Sequence, residues 1–432
     1  MSFGFDTFYK RVSIKNKGNI TKHGPVILAM NHPNTFMDPI MFLYAAYPPK
    51  LYYLARGDAF TSAIANWFFE SLGIVPIFRI QDAGKEGLKK NDETYKRVYK
   101  LLSQDKKIMI FAEGLCIQER RLRPLKKGVP RMVFSGMEVI NNPDLAVVPI
   151  GINYTNPKKF RSNIFFNVGE PIMVIDFMKD YKEQPARTQN VFLKVLEPKM
   201  KELIIHINNP ENDKLIVWLE EMFVKKWCIQ QKLNYKNPEH EFNIGKQITA
   251  IVNKADTENK PIVNSLNEKC KTYFEELNKF KIRDWLIDPN NNLKVNWFNF
   301  VFRTILLIVF APVCLRGILG NYLPYKISQI ISDAKIKMVE FHAAFNLVIG
   351  TVLTWIFYII QFTIAYSLAP NIGWPALVVV VSFFTGKFVL YYYPFFQKTL
   401  GLCRVLTNKQ KANALKKSRE EICDLVAKIN KN

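Results

Sequence analysis

The chain has 432 residues, a net charge of +23 and a pI near 9.6, with 49% hydrophobic and 13% aromatic residues. A positive charge of this size favours an anionic partner, either nucleic acid or the surface of an anionic membrane. The six cysteines are scattered without a Cys-x-x-Cys pair, which argues against a disulfide framework or a zinc site. The first residues lack the apolar run of a signal peptide.

Apolar runs alternate with helical patterns over the first part of the chain. Apolar residues at helical spacing over 5–12 predict a short helix, either on the membrane surface or packed on the core. Strands are then predicted at 26–30, 50–55, 74–78, 107–111 and 145–152, with a closing pair at 164–168 and 172–174. Because β-branched runs between helices are typical of sheets buried on both faces, we predict an α/β fold with a mostly parallel sheet covered by helices.

The chain is predicted to have three parts. Residues 1–208 form the α/β domain, and residues 209–296 form a helical extension with charged amphipathic patterns. Residues 297–432 form a membrane-anchoring region that ends in a basic tail.

The membrane-anchoring region is predicted to contain a helical hairpin. No charged residue occurs between His342 and Lys387, a length that suits two membrane helices of about 20 residues each. We expect a transmembrane hairpin at about 344–368 and 373–396, preceded by a re-entrant or interfacial segment at 298–316. The lysines on both sides of the hairpin predict an integral membrane protein with the α/β domain on the cytoplasmic face.

The strand at 26–30 is followed at once by a histidine at the start of a predicted helix. His32 follows this strand, and Asp38 lies six residues further along. A carboxylate near a histidine can hold the imidazole in one tautomer, which is the arrangement of a general base. With no cysteine or second histidine nearby, a metal site is not indicated. The alternative is a buried histidine beside a helix-capping aspartate, and the motif alone does not decide between them.

Three further strands lead into residues that suit a ligand. Arg79 follows one strand and suits bidentate binding of a phosphate, although a solvated arginine is the alternative. Glu113 and Gly114 follow another, where a glycine lets the backbone approach a ligand. The cationic loop after them suits a phosphorylated acceptor or a solvated surface; its arginines are Arg120, Arg121 and Arg123. Pro149 lies in an apolar strand that either passes the site or belongs to the core.

These motifs, in this order, resemble the glycerophospholipid acyltransferase family of the lysophosphatidate and glycerol-3-phosphate acyltransferase type. The matching residues are Asn31, His32 and Asp38; Gly73 and Arg79; Phe111, Glu113 and Gly114; and Val148 and Pro149. The resemblance covers about residues 20–175. Five residues instead of the usual four separate His32 from Asp38, and Phe-Ala-Glu-Gly-Leu-Cys replaces the usual Phe-Pro-Glu-Gly-Thr-Arg-Ser.

The resemblance implies an acyltransferase fold and direct transfer of an acyl chain to glycerol-3-phosphate or 1-acylglycerol-3-phosphate. The donor is a thioester, acyl-CoA or acyl-carrier protein, and no cofactor or metal is expected. His32 is then the base and Asp38 orients it, while backbone N–H groups after His32 hold the oxyanion. Substrate is held by Arg79, Glu113, Gly114, Arg120, Arg121 and Arg123, and Asn31 and Pro149 give oxyanion or structural support. Membrane lipids and the two substrates are the expected partners.

Two other functions stay open at the level of sequence. One is an acyltransferase for a non-phosphorylated lyso-aminolipid, and the other is a basic scaffold on the membrane surface without catalysis. Nucleic-acid binding is not expected, because the chain has a long uncharged stretch and no motif of a nucleic-acid-binding fold.

Overall fold

The computed structural model describes residues 5, 7–20, 24–46, 51–57, 67, 70–71, 73–78, 80–289 and 293–431, with only the backbone of residues 56, 80–90 and 431. The chain divides into two compact units, Met1–His206 and Ile207–Asn432. The boundary between these two units lies close to the predicted end of the α/β domain at residue 208. The predicted boundary between 296 and 297 falls inside the second unit and stays a prediction.

The first unit is built around a sheet of eight strands in the order β1-β7-β6-β2-β5-β3-β4, with β8 beside β6. The strands are β1 (Arg11–Lys15), β2 (Val26–Met30), β3 (Leu51–Arg56), β4 (Ile74–Ile77), β5 (Lys107–Phe111), β6 (Ala146–Tyr154), β7 (Asn163–Val168) and β8 (Ile172–Met173). In the centre, β2 pairs in parallel with both β5 and β6. Strands β7 and β8 run antiparallel to β6. The predicted α/β fold with a mostly parallel sheet is therefore confirmed.

Helices cover both faces of this sheet. They are α1 (Met37–Ala46), α2 (Ile80–Leu102), α3 (Gly128–Ile140), α4 (Ile175–Glu183) and α5 (Pro185–Glu202). Every residue of β2 is buried, so neither of its faces is open to solvent. Phe42 of α1 packs edge-on against Phe166, and Phe134 of α3 stacks on Tyr181 with ring centroids 4.4 Å apart. The apolar core on both sides fixes where the carboxyl ends of the central strands lie.

The predicted helix over 5–12 is wrong in its second half. Residues 11–15 form β1, which pairs in parallel with β7. Phe8 and Tyr9 are buried in the first unit, where Phe8 packs against Phe160 and Tyr9 against Tyr154. The aromatic residues of this segment therefore belong to the core and not to the membrane surface.

The second unit is helical. Its helices are α6 (Asp213–Gln230), α7 (Pro238–Glu258), α8 (Lys260–Lys279), α9 (Trp297–Lys335), α10 (His342–Leu368), α11 (Gly373–Thr407) and α12 (Lys409–Lys431). Helices α7 and α8 each have a proline within their first two residues, after a capping asparagine, Asn237 or Asn259, whose side chain accepts a backbone N–H. A buried ion pair between Arg419 of α12 and Asp284 lies in this unit.

Among the described residues, three helices are long and apolar enough to cross a membrane, namely Trp297–Lys335, Val339–Leu368 and Gly373–Thr407. Most of their large apolar side chains are exposed, as in Phe298, Leu319 and Trp355. Exposed apolar surface on this scale, on helices of this length, indicates that these helices are membrane-associated. Helices α10 and α11 contain the predicted hairpin at 344–368 and 373–396, and its crossing of the membrane stays a prediction.

The predicted segment at 298–316 is only part of helix α9, which continues to Lys335. Helix α9 contacts the hairpin at several positions along its length. Arg303 lies against Thr399, Arg316 and Asn321 lie against Ser382, and Ser328 lies against Gly350. The middle of α9 thus lies closer to the turn at 369–372 than its two ends do. Two prolines inside the helix, Pro312 and Pro324, allow such a bend. This pattern suits a segment that approaches the turn and returns, although a re-entrant path stays a prediction.

Candidate active site

The carboxyl ends of three adjacent strands build the candidate site. His32 follows β2, the central strand of the three. Glu113 follows β5 on one side, and Tyr154 is the last residue of β6 on the other. Ligands of open α/β sheets bind at this edge, because loops from neighbouring strands meet there.

His32 and Asp38 form the predicted pair. The Nδ1 atom of His32 lies 2.8 Å from Oδ2 of Asp38. The imidazole stacks on the ring of Phe111, with centroids 3.6 Å apart and an interplanar angle of 11°. The side chain of His32 is 16% exposed, whereas that of Asp38 is fully buried. The imidazole is therefore held on two sides, by a carboxylate and by an aromatic face.

Asp38 accepts hydrogen bonds from three different groups. Besides His32, the backbone N–H of Asn34 donates to Oδ2 and the hydroxyl of Tyr154 donates to Oδ1, both at 2.8 Å. Both oxygens of this buried carboxylate therefore have hydrogen-bond donors inside the protein. We infer that Nδ1 of His32 carries the proton and that Nε2 has the lone pair, as a general base requires. In the described part of the chain, no side chain or backbone group forms a hydrogen bond with Nε2.

The five-residue gap between His32 and Asp38 is accommodated in a turn. Thr35 has a φ of 27°, an unusual value for a β-branched residue, and Met37 donates its N–H to Asn34. The N–H of Thr35 donates to Sγ of Cys116, 3.0 Å away in the loop after β5. The turn before α1 therefore absorbs the additional residue and leaves the histidine and aspartate within hydrogen-bonding distance.

The side chain of Glu113 accepts hydrogen bonds from two backbone N–H groups of the site. Its Oε1 accepts the N–H of His32 at 3.1 Å, and its Oε2 accepts the N–H of Arg123 at 3.0 Å. Burial raises the pKa of this carboxyl above its usual value, although the two N–H donors and the nearby cations oppose the shift. The carboxylate thus joins the histidine segment to the basic loop, and both of its oxygens already have protein donors.

The basic loop after β5 is fixed next to His32. Its Ile117 donates a backbone N–H to the carbonyl of His32, and Leu122 donates to Nδ1 of His206 at 2.9 Å. Glu119 pairs with the guanidinium of Arg123 at 2.8 Å and lies 3.6 Å from that of Arg121. Arg120, Arg121 and Arg123 are all partly buried in this loop. The predicted loop arginines and the predicted base are therefore parts of one local structure.

The remaining predicted residues have mainly structural contacts. Asn31 accepts the N–H of Ile152 and donates to its carbonyl, so its side chain ties the end of β2 to β6. Pro149 is buried within β6, and its carbonyl accepts the N–H of Gly169. Gly114 has a φ of 66°, which favours glycine. Arg79 lies outside the described residues, so its predicted role in phosphate binding stays a prediction.

Five backbone N–H groups at the start of α1 already have acceptors inside the protein. These groups belong to His32, Asn34, Thr35, Met37 and Asp38. If one of these five groups holds the oxyanion, its present hydrogen bond must be exchanged on substrate binding.

Sequence reasoning missed two residues of the site. Tyr154 donates to Asp38 and is buried, with a pKa raised by burial and by the neighbouring carboxylate. His206 accepts the N–H of the basic loop, and burial lowers its pKa. Tyr154 lies two residues beyond the predicted strand at 145–152, and no local pattern in the sequence distinguishes it. Within the described ranges, no group of three or more His, Cys, Asp or Glu side chains is placed to hold a metal ion.

Comparison with known proteins is consistent with this geometry. Residues 11–153 match the family model described as Acyltransferase. The chain is 32% identical over 128 residues to Glycerol-3-phosphate O-acyltransferase 2 of Saccharomyces cerevisiae, covering 29% of this chain and 17% of that protein. It is 22% identical over 247 residues to Glycerol-3-phosphate O-acyltransferase 1 of the same yeast, covering 56% of this chain and 32% of that protein.

A solved structure also resembles the chain. It is the 1-acyl-sn-glycerophosphate (LPA) acyltransferase PlsC from Thermotoga maritima, at 17% identity and a TM-score of 0.33, covering 47% of this chain and 77% of that chain. The segment 11–153 is therefore similar to the acyltransferase family. Within that class, the predicted resemblance to the glycerophospholipid acyltransferases is confirmed. The matched segments span less than a third of the length of the two yeast relatives.

Proposed function

We propose that the chain is a membrane-bound O-acyltransferase. It transfers an acyl chain from a thioester, acyl-CoA or acyl-carrier protein, to the hydroxyl of glycerol-3-phosphate or 1-acylglycerol-3-phosphate. The observation that carries the proposal is the 2.8 Å contact between His32 and Asp38 at the end of β2, in a segment similar to the acyltransferase family. The names of the two yeast relatives favour glycerol-3-phosphate as the acceptor.

In the proposed reaction, Nε2 of His32 removes the proton from the acceptor hydroxyl. The resulting alkoxide attacks the thioester carbonyl and forms a tetrahedral intermediate. The carbon–sulfur bond then breaks, and the leaving thiolate takes the proton from the imidazolium. Asp38 stabilises the imidazolium through Nδ1 while the proton resides on Nε2. No covalent acyl-enzyme is required.

The acceptor phosphate is proposed to bind beside the basic loop. The charges of Arg121 and Arg123 are shared with Glu119, so the loop is a rigid cationic site and not a set of independent charges. A planar guanidinium suits two oxygens of one phosphate, and a substrate phosphate can compete with Glu119 for these arginines. Arg79 remains a sequence-based candidate for the same phosphate.

We also propose where the reaction takes place and which partners it involves. The reaction is expected at the cytoplasmic face of the membrane, since lysines and arginines flank both sides of the apolar hairpin. Membrane lipids surround the apolar helices of the second unit, and the acyl chain of the donor or acceptor is delivered at the membrane. Acyl-carrier protein is a partner if it, and not acyl-CoA, is the thioester donor.

The decisive test is a matrix of donors and acceptors with the purified full chain in detergent. Each donor, acyl-CoA or acyl-carrier protein, is offered with glycerol-3-phosphate, lysophosphatidate or a non-phosphorylated lyso-aminolipid. We expect transfer to a phosphorylated acceptor. Transfer to the lyso-aminolipid alone would replace the proposed acceptor, and absence of transfer in every combination would favour the non-catalytic scaffold.

The base is tested in the same assay with His32→Ala. Turnover should fall about 10²- to 10⁴-fold, the range for loss of a general base. His240→Ala, in the second unit, is the matched control and should keep full activity. The unfolding midpoint of both variants should stay close to that of the parent. If His32→Ala retains full activity, the proposed base is wrong even where the transfer activity itself is present.

A further inference from the structure

A cavity of about 420 Å³ lies in the second unit beside helix α12 and the segment that precedes α9. Four cationic and two acidic side chains line it, namely Lys226, Lys294, Lys416 and Arg419 with Asp288 and Glu420. Apolar side chains, among them Leu286 and Val295, complete the wall. The cavity lies entirely within the second unit, which does not contain the candidate active site.

The charges around the cavity are not balanced. Arg419 is already neutralised, because it donates two hydrogen bonds to Asp284, at 2.8 and 3.2 Å, and lies 3.5 Å from Asp288. In the described part of the chain, Lys226, Lys294 and Lys416 have no carboxylate at ion-pair distance. Of the two acidic residues that line the cavity, only Glu420 is available to balance the charge of these three lysines. An anion with more than one oxygen would be attracted to this position.

The cavity lies next to the start of an apolar helix. Its lining residues Lys294 and Val295 come directly before Asn296, whose side chain caps α9. Nearby, the ammonium of Lys398 lies 5.4 Å from the ring centroid of Trp285. Lysine and tryptophan at the end of an apolar helix are typical of the membrane–water boundary, where the headgroups of phospholipids lie.

We propose that this cavity binds the phosphate group of an anionic phospholipid. Lys226, Lys294 and Lys416 contact the phosphate, and the apolar wall contacts the glycerol end of the lipid. Basic pockets beside membrane helices recognise lipid headgroups through the same combination of charge and apolar surface. This proposal does not rest on the proposed acyltransferase function, since it concerns a site in the other unit.

Cys423 provides a direct reporter, because its side chain lines the cavity. The purified full chain in neutral detergent is treated with a maleimide, and modification of each cysteine is followed by mass spectrometry of its peptides. Dioctanoyl phosphatidylglycerol should slow modification of Cys423 and leave Cys403, a partly buried cysteine of α11, unaffected. Dioctanoyl phosphatidylcholine and inorganic phosphate are the comparison ligands.

The outcomes separate the sources of the phosphate. Protection by phosphatidylglycerol alone supports the proposal. Equal protection by phosphatidylcholine means that charge is not recognised and overturns it. Protection by inorganic phosphate at the same concentration overturns the assignment to a lipid. Protection should weaken as the salt concentration rises, since the contacts are electrostatic.

A matched pair of triple variants tests the three lysines. In Lys226→Gln/Lys294→Gln/Lys416→Gln the concentration of phosphatidylglycerol that protects Cys423 should rise at least tenfold. The control Lys232→Gln/Lys236→Gln/Lys260→Gln removes three exposed lysines elsewhere in the same unit. It should change the protective concentration of phosphatidylglycerol less than twofold. Equal protection in the two variants overturns the proposal. If the first variant does not fold, Lys294→Gln, which lies outside the helices, should still raise the concentration about fivefold.

Discussion

Asp38 organises the candidate site at the level of single residues. Its carboxylate receives hydrogen bonds from His32 and Asn34, in the turn after β2, and from Tyr154, at the end of β6. The orientation of the imidazole therefore depends on a tyrosine at the end of a neighbouring strand. Tyr154 does not have to touch substrate to affect the reaction, because it acts by positioning the aspartate.

Tyr154→Phe tests this positioning role. The ring keeps its packing, but Oδ1 of Asp38 loses its donor, which should cost about 1–3 kcal/mol of stability. We expect kcat to fall on the order of tenfold, because the imidazolium is less well stabilised, with little change in KM. Steady-state kinetics and thermal unfolding measure the two effects. A raised KM with an unchanged kcat would instead show that Tyr154 contacts substrate.

His206 predicts a pH dependence. It accepts the N–H of Leu122 through Nδ1, which only the neutral imidazole can do, and burial lowers its pKa below the ordinary value of 6.5. A histidine with a lowered pKa in the folded state contributes stability above its ordinary pKa. That contribution is lost as the pH falls through the folded-state pKa.

His206→Asn separates this effect from other titrations. The amide oxygen of asparagine can accept the same N–H but does not titrate. The unfolding midpoint of the parent should therefore fall more steeply with decreasing pH than that of the variant. Thermal unfolding of both proteins over the acidic range gives the comparison. Parallel curves would show that His206 does not contribute to the pH dependence of stability.

Strands and helices could be predicted from the sequence where a local pattern of apolar residues determines them. The strand at 107–111 and the strand at 26–30 were predicted with their observed bounds, because uninterrupted apolar runs between helices are specific to buried strands. Strand β1 was missed, since its partner β7 lies about 150 residues away in the chain and no local pattern indicates such a pairing. Tyr154 was missed for the same reason, as its contact with Asp38 joins distant segments.

The loop after β5 is an element whose shape depends on one glycine. Gly114 has a φ of 66°, and a Cβ at this position would lie 3.1 Å from Cγ of Lys126. Its neighbour Glu113 holds the N–H groups of both His32 and Arg123. A change in the backbone at Gly114 should therefore reach the base and the basic loop together.

Gly114→Ala should reduce both stability and activity. A left-handed backbone costs a residue with a Cβ about 1–2 kcal/mol, and the shift of Glu113 should lower kcat. Gly128→Ala is the control, because an added Cβ there meets nothing within 4 Å and the residue begins helix α3. Unfolding midpoints and kcat of the two variants are compared. Similar behaviour of both variants would mean that the left-handed turn is not needed.

At the scale of the whole second unit, one buried ion pair constrains the path of the chain through the membrane. Asp284 comes before α9, Arg419 comes after α11, and the two side chains form hydrogen bonds in a buried position. Both residues must therefore lie on the same side of the membrane, so an even number of crossings separates them. If α10 and α11 each cross once, α9 must return to the side from which it entered. The contacts of its middle near the hairpin turn agree with this path.

Single cysteines test that topology in sealed vesicles. Lys254→Cys in α7, Lys337→Cys after α9 and Lys409→Cys in α12 should react with an impermeant maleimide from one side. Asn371→Cys in the hairpin turn should react from the other side or only after permeabilisation. Mass spectrometry of each labelled peptide distinguishes the introduced cysteines from the native ones. If α9 crossed the membrane completely, Lys337→Cys and Lys254→Cys would react from opposite sides, and the ion pair of Asp284 with Arg419 could not form in the membrane-embedded protein.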